Sequence, residues 1–353
     1  MNRQFDKQYP LDPKSSLEEE DYFDGLQTSG RGLGPSLDVR VPSLKVVANG
    51  GSEPSFEIIA VPGLGADPCF TWTKKVEVSP GEPLEGRGAT KSKSKDNDKD
   101  QKAHLLLLLK QAFPTARILC YVDNTAWFRE PIIKTPRQIG ICLQGKIKAK
   151  RLSSRLPVIF IGHSLGGIII KEALCADPSK SIISDTVGII FLGTPHQGAR
   201  LVRAAALLAP VPKRFGLVDD TLIKHLTEHN CDLSNLADSF DKLRSHIEET
   251  DHKIRIAAFY ESKPVPGTSK TLVSRDSAIV HADAFEKWLV NTDHSNLNKC
   301  SGVQDSYFVD LTKAIARLRC PSRLQLADSM IHNQHYNLRT PCKFEPLLHQ
   351  PSH

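Results

Sequence analysis

The stretch Pro157–Ile170, PVIFIGHSLGGIII, constrains this chain more than any other. Val158–Ile161 is a short, wholly apolar run bounded by Pro157 and Gly162, the pattern of a strand buried on both faces. Residues from Gly166 to Cys175 suit a helix. Between them stands Gly162-His163-Ser164-Leu165-Gly166, a G-x-S-x-G pattern with no room for a loop. A strand that turns straight into a helix at a serine makes a nucleophile elbow. Small residues two before and two after the serine let strand and helix pass closely. The turn forces Ser164 into strained backbone geometry and exposes its hydroxyl. It also leaves the Leu165 N–H at a helix N-terminus, where it can face a developing oxyanion. An ordinary serine in a glycine-rich turn is the plainer alternative, and the flanking strand and helix argue against it.

The rest of the chain reads as a setting for that turn. Strand-like runs occur at Leu44–Ala48, Phe56–Val61, Arg117–Val122, Thr186–Leu192 and Lys253–Tyr260. Asn49-Gly50-Gly51, between the first two, has turn chemistry. Residues 103–113 suit a short helix. Thr135-Pro136-Arg137-Gln138 is a helix start with capping threonine, first-turn proline and a glutamine that reaches back. Leu233, Leu236, Phe240, Leu243 and Ile247 form one helical stripe, and Phe308, Leu311, Ile315 and Leu318 form another. Wholly apolar strands alternating with helices predict an α/β fold: a mainly parallel sheet with helices on both faces.

The 353 residues would fill about two average domains, or one decorated α/β domain. The reading here is an irregular segment over 1–42, one domain over 43–320 and a loosely ordered tail over 321–353. Within the domain, 80–103 is an insertion whose charged core, Lys91–Asp100, cannot bury a face. Residues 200–250 are expected to form a helical cap. The helix near Leu201–Leu208 is apolar enough to border an acyl-chain pocket, although a core position accounts for it as well.

Composition narrows the function classes. No apolar run approaches the roughly 18 residues needed to cross a bilayer. Residues 1–20 hold no apolar core of a secretory signal. The eight cysteines are scattered without a C-x-x-C pair and read as reduced thiols, so an intracellular chain is expected. Net charge is +6, with six basic and two acidic side chains over 312–353. That tail offers a contact to nucleic acid or an anionic membrane; a solvated tail is the plainer reading. Nucleic-acid binding is not expected, and oligomeric state cannot be read from the sequence.

A serine hydroxyl needs a base, and in the elbow architecture the partners follow in the order serine, acid, histidine. The strand ending Phe259-Tyr260-Glu261 makes Glu261 the first acid candidate, and Asp276 in Ser274-Arg-Asp-Ser-Ala278 is the alternative. His294, in the polar loop Thr292–Leu297, is the natural base; His281 and His252 are rivals. The loop Pro62–Pro68, after an early strand, should supply a second oxyanion donor, with the Leu64 N–H as candidate. His196 precedes the acid and reads as structural or substrate-facing. His225-Leu-Thr-Glu228-His229 fits the zinc pattern H-x-x-E-H, but the flanking sequence supplies no clear carboxylate ligand. Packed or solvated histidines explain it better, so neither a metal nor an organic cofactor is expected.

Seven segments together carry a resemblance: VPGLGADPCFTWT (61–73), ARILCYV (116–122), PVIFIGHSLGGIIIKEAL (157–174), TVGIIFLGTPHQGA (186–199), IAAFYE (256–261), SRDSAIV (274–280) and TDHSNLNK (292–299). They resemble the serine-esterase, lipase-like branch of the α/β-hydrolases, above all its fungal members. They are also similar to the serine-active-site-containing proteins linked to phospholipid handling at endoplasmic reticulum and mitochondria. The resemblance implies an α/β-hydrolase fold and a carboxylic-ester or lipid esterase working through an acyl-enzyme. It further implies Ser164 as nucleophile, His294 as base, Glu261 as the matching acid, and a cytoplasmic or peripheral-membrane setting. Two departures stand out: Pro62 replaces the histidine usual in the first loop, and Val122–Ala126 replaces a Gly-Tyr-Asp-Ala segment. An acyltransferase using the same triad and a non-catalytic interaction domain are the alternative readings.

Overall fold

The computed structural model describes residues 42–63, 71–77, 100–122, 135–151, 155–196, 230–248, 253–264, 269, 271 and 286–319. Their centre is a seven-stranded sheet. In chain order its strands are β1 (Ser43–Ala48), β2 (Phe56–Val61), β5 (Ala116–Val122), β6 (Val158–His163), β7 (Thr186–Leu192), β8 (Arg255–Glu261) and β9 (Glu286–Val290). They lie in the order β1-β5-β2-β6-β7-β8-β9, all parallel except β1, which runs antiparallel to β5. A separate antiparallel pair joins β3 (Thr73–Glu77) to β4 (Asp100–His104). The helices are α1 (Leu105–Ala112), α2 (Pro136–Lys150), α3 (Leu165–Cys175), α4 (Ser181–Asp185), α5 (Asn230–Glu248) and α6 (Ser306–Arg319).

Because side chains alternate across a strand, an apolar run feeds both faces of its sheet. Ile58 and Ala60 of β2 join Ile159 and Ile161 of β6 on the face covered by α1 and α6. Ile59 and Val61 join Phe160 on the other face, under α2, α3 and α5. These positions are closed to solvent, which is why the central strands read as continuous hydrophobic runs. The strand order, the single antiparallel strand at one edge and the strand–turn–helix at β6–α3 make this an α/β-hydrolase fold, as expected.

Local signals held where they were chemically specific. The Thr135–Gln138 capping box is complete: the Gln138 N–H donates to Thr135 Oγ1 at 3.2 Å, and the Thr135 N–H donates to Gln138 Oε1 at 2.8 Å. The Asn49-Gly50-Gly51 spacer does not join neighbouring strands, because β5 lies between β1 and β2. Gly50 has φ +76°, and a Cβ there would sit 2.8 Å from the Ala116 backbone. The glycine lets the chain cross against the start of β5 rather than turn back on itself. The expected helix over 103–113 is also corrected, since Ala103 and His104 belong to β4 and the helix begins at Leu105. The last residues of the 80–103 insertion are therefore strand; residues 78–99 lie outside the described residues.

The stripe over 230–248 does form a helix, but it faces the core. Phe240 and Ile247 pack in one cluster with Ile169, Ile170 and Phe191. Buried Lys171 of α3 lies over the Phe191 and Phe240 rings at 5.6 and 5.0 Å. Residues 200–229 of the expected cap lie outside the described residues, as do 1–41 and 320–353. Among the described residues no helix is long and apolar enough to cross a membrane.

Candidate active site

Serine 164 stands at the C-terminal end of β6, where β2 leads to one side of the sheet and β6 to the other. Ligand sites of open α/β sheets form at such reversals, outside the C-terminal strand ends. Ser164 has φ 51° and ψ −124°, one of two non-glycine residues at positive φ among those described. That conformation is costly for an L-residue and persists only where its surroundings impose it. Here the imposing contact is the passage of β6 into α3. A Cβ on Gly166 would sit 2.2 Å from the Val61 carbonyl oxygen, so only glycine lets the helix start this close to β2. The Ser164 N–H donates to the Leu192 carbonyl at 2.9 Å, locking the turn to the end of β7. Leu165 is the first residue of α3, and first-turn N–H groups have no intrahelical acceptor.

His294 arrives from the far edge. β9 runs beside β8 and hands the chain into a short 3₁₀ turn, His294–Asn296. Asp293 caps it, accepting from the Ser295 N–H at 3.0 Å, the Ser295 hydroxyl at 2.6 Å and Asn296 Nδ2 at 2.8 Å. Partial burial opposes ionisation of Asp293, but these hydrogen bonds outweigh it and hold the carboxyl below its ordinary range. The His294 ring is buried at 3% exposure, and its Nδ1 lies 3.5 Å from Glu261 Oε1, itself buried at the end of β8. A Cβ on Gly193, just beyond β7, would lie 2.9 Å from His294 Nδ1. The ring thus sits across the end of the strand whose last carbonyl holds the Ser164 amide.

Further hydrogen bonds pin this loop. The Tyr307 hydroxyl donates to the Leu297 carbonyl, and Asn298 Nδ2 donates to the Thr71 carbonyl at 2.6 Å. His163 Nε2 lies 3.1 Å from the His294 carbonyl. Burial first, and then the nearby His294, lower the His163 pKa to about 3, so this ring is neutral near pH 7. Among the described residues, His294 Nε2 and His163 Nδ1 are buried without a hydrogen bond. No hydrogen bond joins Ser164 Oγ to His294 Nε2 here; bonds of this kind often tighten only around substrate.

The structure places Glu261 Oε1 3.5 Å from His294 Nδ1 and sets Ser164 at the β6–α3 turn. Leu64, Asp276, His252, His281 and the His225–His229 motif lie outside the described residues. His196 packs edge-on against Phe191 with ring centroids 4.5 Å apart, and Thr194 seats against Gly167 in the first turn of α3. That loop therefore supports the elbow from beneath. Sequence reading missed Asp293, Asn298, Tyr307 and His163 as supports. The first signals itself as a capping residue before a short turn; the other three act over distances no spacing reveals.

No protein-family model matches the chain. It is similar to protein SERAC1 of Mus musculus, 29% identical over 126 residues, which is 35% of this chain and 18% of the mouse protein. Protein SERAC1 of Homo sapiens is 29% identical over 123 residues, 34% of this chain and 17% of that protein. The match to Bos taurus SERAC1 is 28% over 171 residues, 46% and 24% of the two chains. The matches thus span less than a quarter of these curated relatives. Among solved structures, a lipase-esterase related protein from Clostridium acetobutylicum ATCC 824 aligns at TM-score 0.40 and 11% identity, over 79% of this chain and 99% of that one. A carboxyl esterase from Bacillus coagulans, in complex with glycerol, aligns at 0.41 and 13%, over 79% and 94%.

Proposed function

We propose that the chain is a serine hydrolase acting on a carboxylic ester of lipid-like character, with Ser164 as nucleophile, His294 as base and Glu261 as the acid that orients it. The observation that carries this is the pairing of a serine held at positive φ on a strand–helix turn with a buried histidine backed by a buried carboxylate at 3.5 Å. Ordinary structural serines have no need of that strain.

The reaction has two halves. His294 Nε2 takes the hydroxyl proton as Ser164 Oγ bonds to the ester carbonyl carbon. The oxyanion is met by the Leu165 N–H and by a second donor, assigned to the Leu64 N–H. As the intermediate collapses, the bond to the alkoxy group breaks and His294 returns the proton to the leaving alcohol. Water then repeats the sequence on the acyl-enzyme and releases the acid. Glu261 keeps the proton on His294 Nδ1 and stabilises the imidazolium. An alcohol acceptor in place of water would make the same site an acyltransferase, and product analysis with added acceptor separates the two. The lipid-like substrate rests on the resemblance of the quoted segments, and peripheral membrane contact on that resemblance and the basic tail over 312–353.

The test is labelling with a fluorophosphonate probe beside Ser164→Ala and His294→Ala. The expected result is a labelled wild type, no label on Ser164→Ala, and labelling slowed by about 10⁴- to 10⁶-fold in His294→Ala. A folded wild type that takes no probe would sink the proposal and favour an interaction domain, with partner capture as the next step.

A further inference from the structure

We propose that His163 is the positioning residue of this site: its Nε2–H holds the backbone carbonyl of His294 and so ties the base-bearing loop to the strand that ends in the nucleophile. The inference rests on the serine-hydrolase reading above. It concerns a residue that the G-x-S-x-G pattern treats as free.

The geometry is specific. His163 Nε2 and the His294 carbonyl oxygen are 3.1 Å apart and 131 residues apart in sequence. A carbonyl only accepts, so Nε2 carries the proton and Nδ1 is the bare nitrogen. Nδ1 is buried and makes no hydrogen bond among the described residues. Protonating it would bury an N–H without an acceptor, 5.2 Å in ring separation from His294. Burial opposes that state, and the ring stays neutral down to a pH of about 3. When His294 gains its proton from Ser164, the neighbouring imidazole therefore adds no like charge.

The other loop contacts act further along the chain. Tyr307 holds Leu297, and Asn298 reaches Thr71. Only the His163 bond, among these, grips the residue that carries the base. The side chain that makes it precedes Ser164 directly. A Cβ on Gly63 would lie 3.2 Å from Ser164 Cβ and 3.5 Å from His163 Nδ1, so the end of β2 packs against both residues. One side chain thus relates the base to the nucleophile, and a displacement of about 1 Å between such groups costs on the order of a hundredfold in rate.

The experiment compares His163→Gln and His163→Leu in the full chain. A glutamine amide nitrogen stands where Nε2 stands and can donate to the same carbonyl; leucine keeps the volume and donates nothing. The expected result is a fluorophosphonate labelling rate, and kcat on an ester the wild type turns over, lowered about 10- to 100-fold in His163→Leu. KM should change little, and His163→Gln should recover to within about fivefold of wild type. Nitrogen-15 spectra of the histidines should show His163 as the Nε2–H tautomer and uncharged at pH 5. Leucine labelling as fast as wild type, glutamine as slow as leucine, or a His163 charged at pH 6 would each overturn the role. If His163→Leu does not fold, the glutamine variant and the tautomer decide. A wild type that takes no probe removes the hydrolase reading and this role together; a labelled wild type with both variants unimpaired removes this role alone.

Discussion

The two ends of the sheet both bury polar side chains, and they treat them differently. At the N-terminal strand ends, Glu57 of β2 is fully buried and accepts from Arg117 at 2.9 Å and from Arg151. Arg151 also donates to Asp185 at 3.3 Å and to the Leu156 carbonyl at 2.7 Å. Charges there are matched and their hydrogen bonds made, so the cluster fixes strand starts and is chemically closed. At the C-terminal strand ends, His294 Nε2, His163 Nδ1 and Thr194 Oγ1 are buried with no hydrogen bond among the described residues. Matched charges at one end and unbonded buried imidazole nitrogens at the other are the contrast expected when a site lies at the second end.

Three experiments sharpen that contrast, beyond those on Ser164, His294 and His163. The largest effect belongs to Glu261→Gln. Losing the carboxylate behind His294 should lower kcat by about 10³- to 10⁴-fold with little change in thermal midpoint. Unchanged labelling would show that Glu261 serves the fold, and Asp276 would take its place as candidate acid. The opposite pattern is expected of Arg151→Met. Removing one partner of a buried carboxylate costs about 3–5 kcal/mol of stability, while probe labelling per folded molecule stays at the wild-type rate. Slower labelling at full stability would erase the distinction between the two ends.

The third effect is smaller and follows pH. Burial lowers His163 to a pKa of about 3 and His104, at the end of β4, to about 4. The unfolded chain holds such groups near 6.5, so between these values it binds more protons than the native state, and stability falls as pH falls. From pH 7 to pH 5 each histidine should withdraw about 2 kcal/mol. Denaturant midpoints at the two pH values, with His104→Gln losing about half of the change, provide the check. A midpoint flat across this range would contradict the buried, neutral histidines.

How much was legible follows from the range of the forces involved. The elbow was readable because strand, turn and helix are contiguous and only small residues permit the crossing. The capping box at Thr135 was readable because it spans four residues. β9 escaped notice: Leu289 is 63% exposed and Glu286 turns inward to Arg317 at 2.9 Å, so its pattern does not alternate apolar with polar. Its partner β8 supplies the register that makes it a strand, and Trp288 stacks on Phe259 at 5.8 Å. The Asn49-Gly50-Gly51 spacer did not reveal which strands it separates, because positive φ serves a tight turn and a backbone crossing equally well.

Continuous apolar runs and stripes of period 3.6 determined by themselves that this chain forms an α/β sheet with helices on both faces, and the strand–Gly-x-Ser-x-Gly–helix run determined where a strained serine would stand. Chain order narrowed the candidates for acid and base to a few residues. Only the tertiary structure decided that Glu261 meets His294, that His163 grips the loop bearing it, and that Glu57 and Arg151 close the opposite end. Those pairings join residues far apart in sequence, and the distance between two side chains exists only once packing has fixed the strands that carry them.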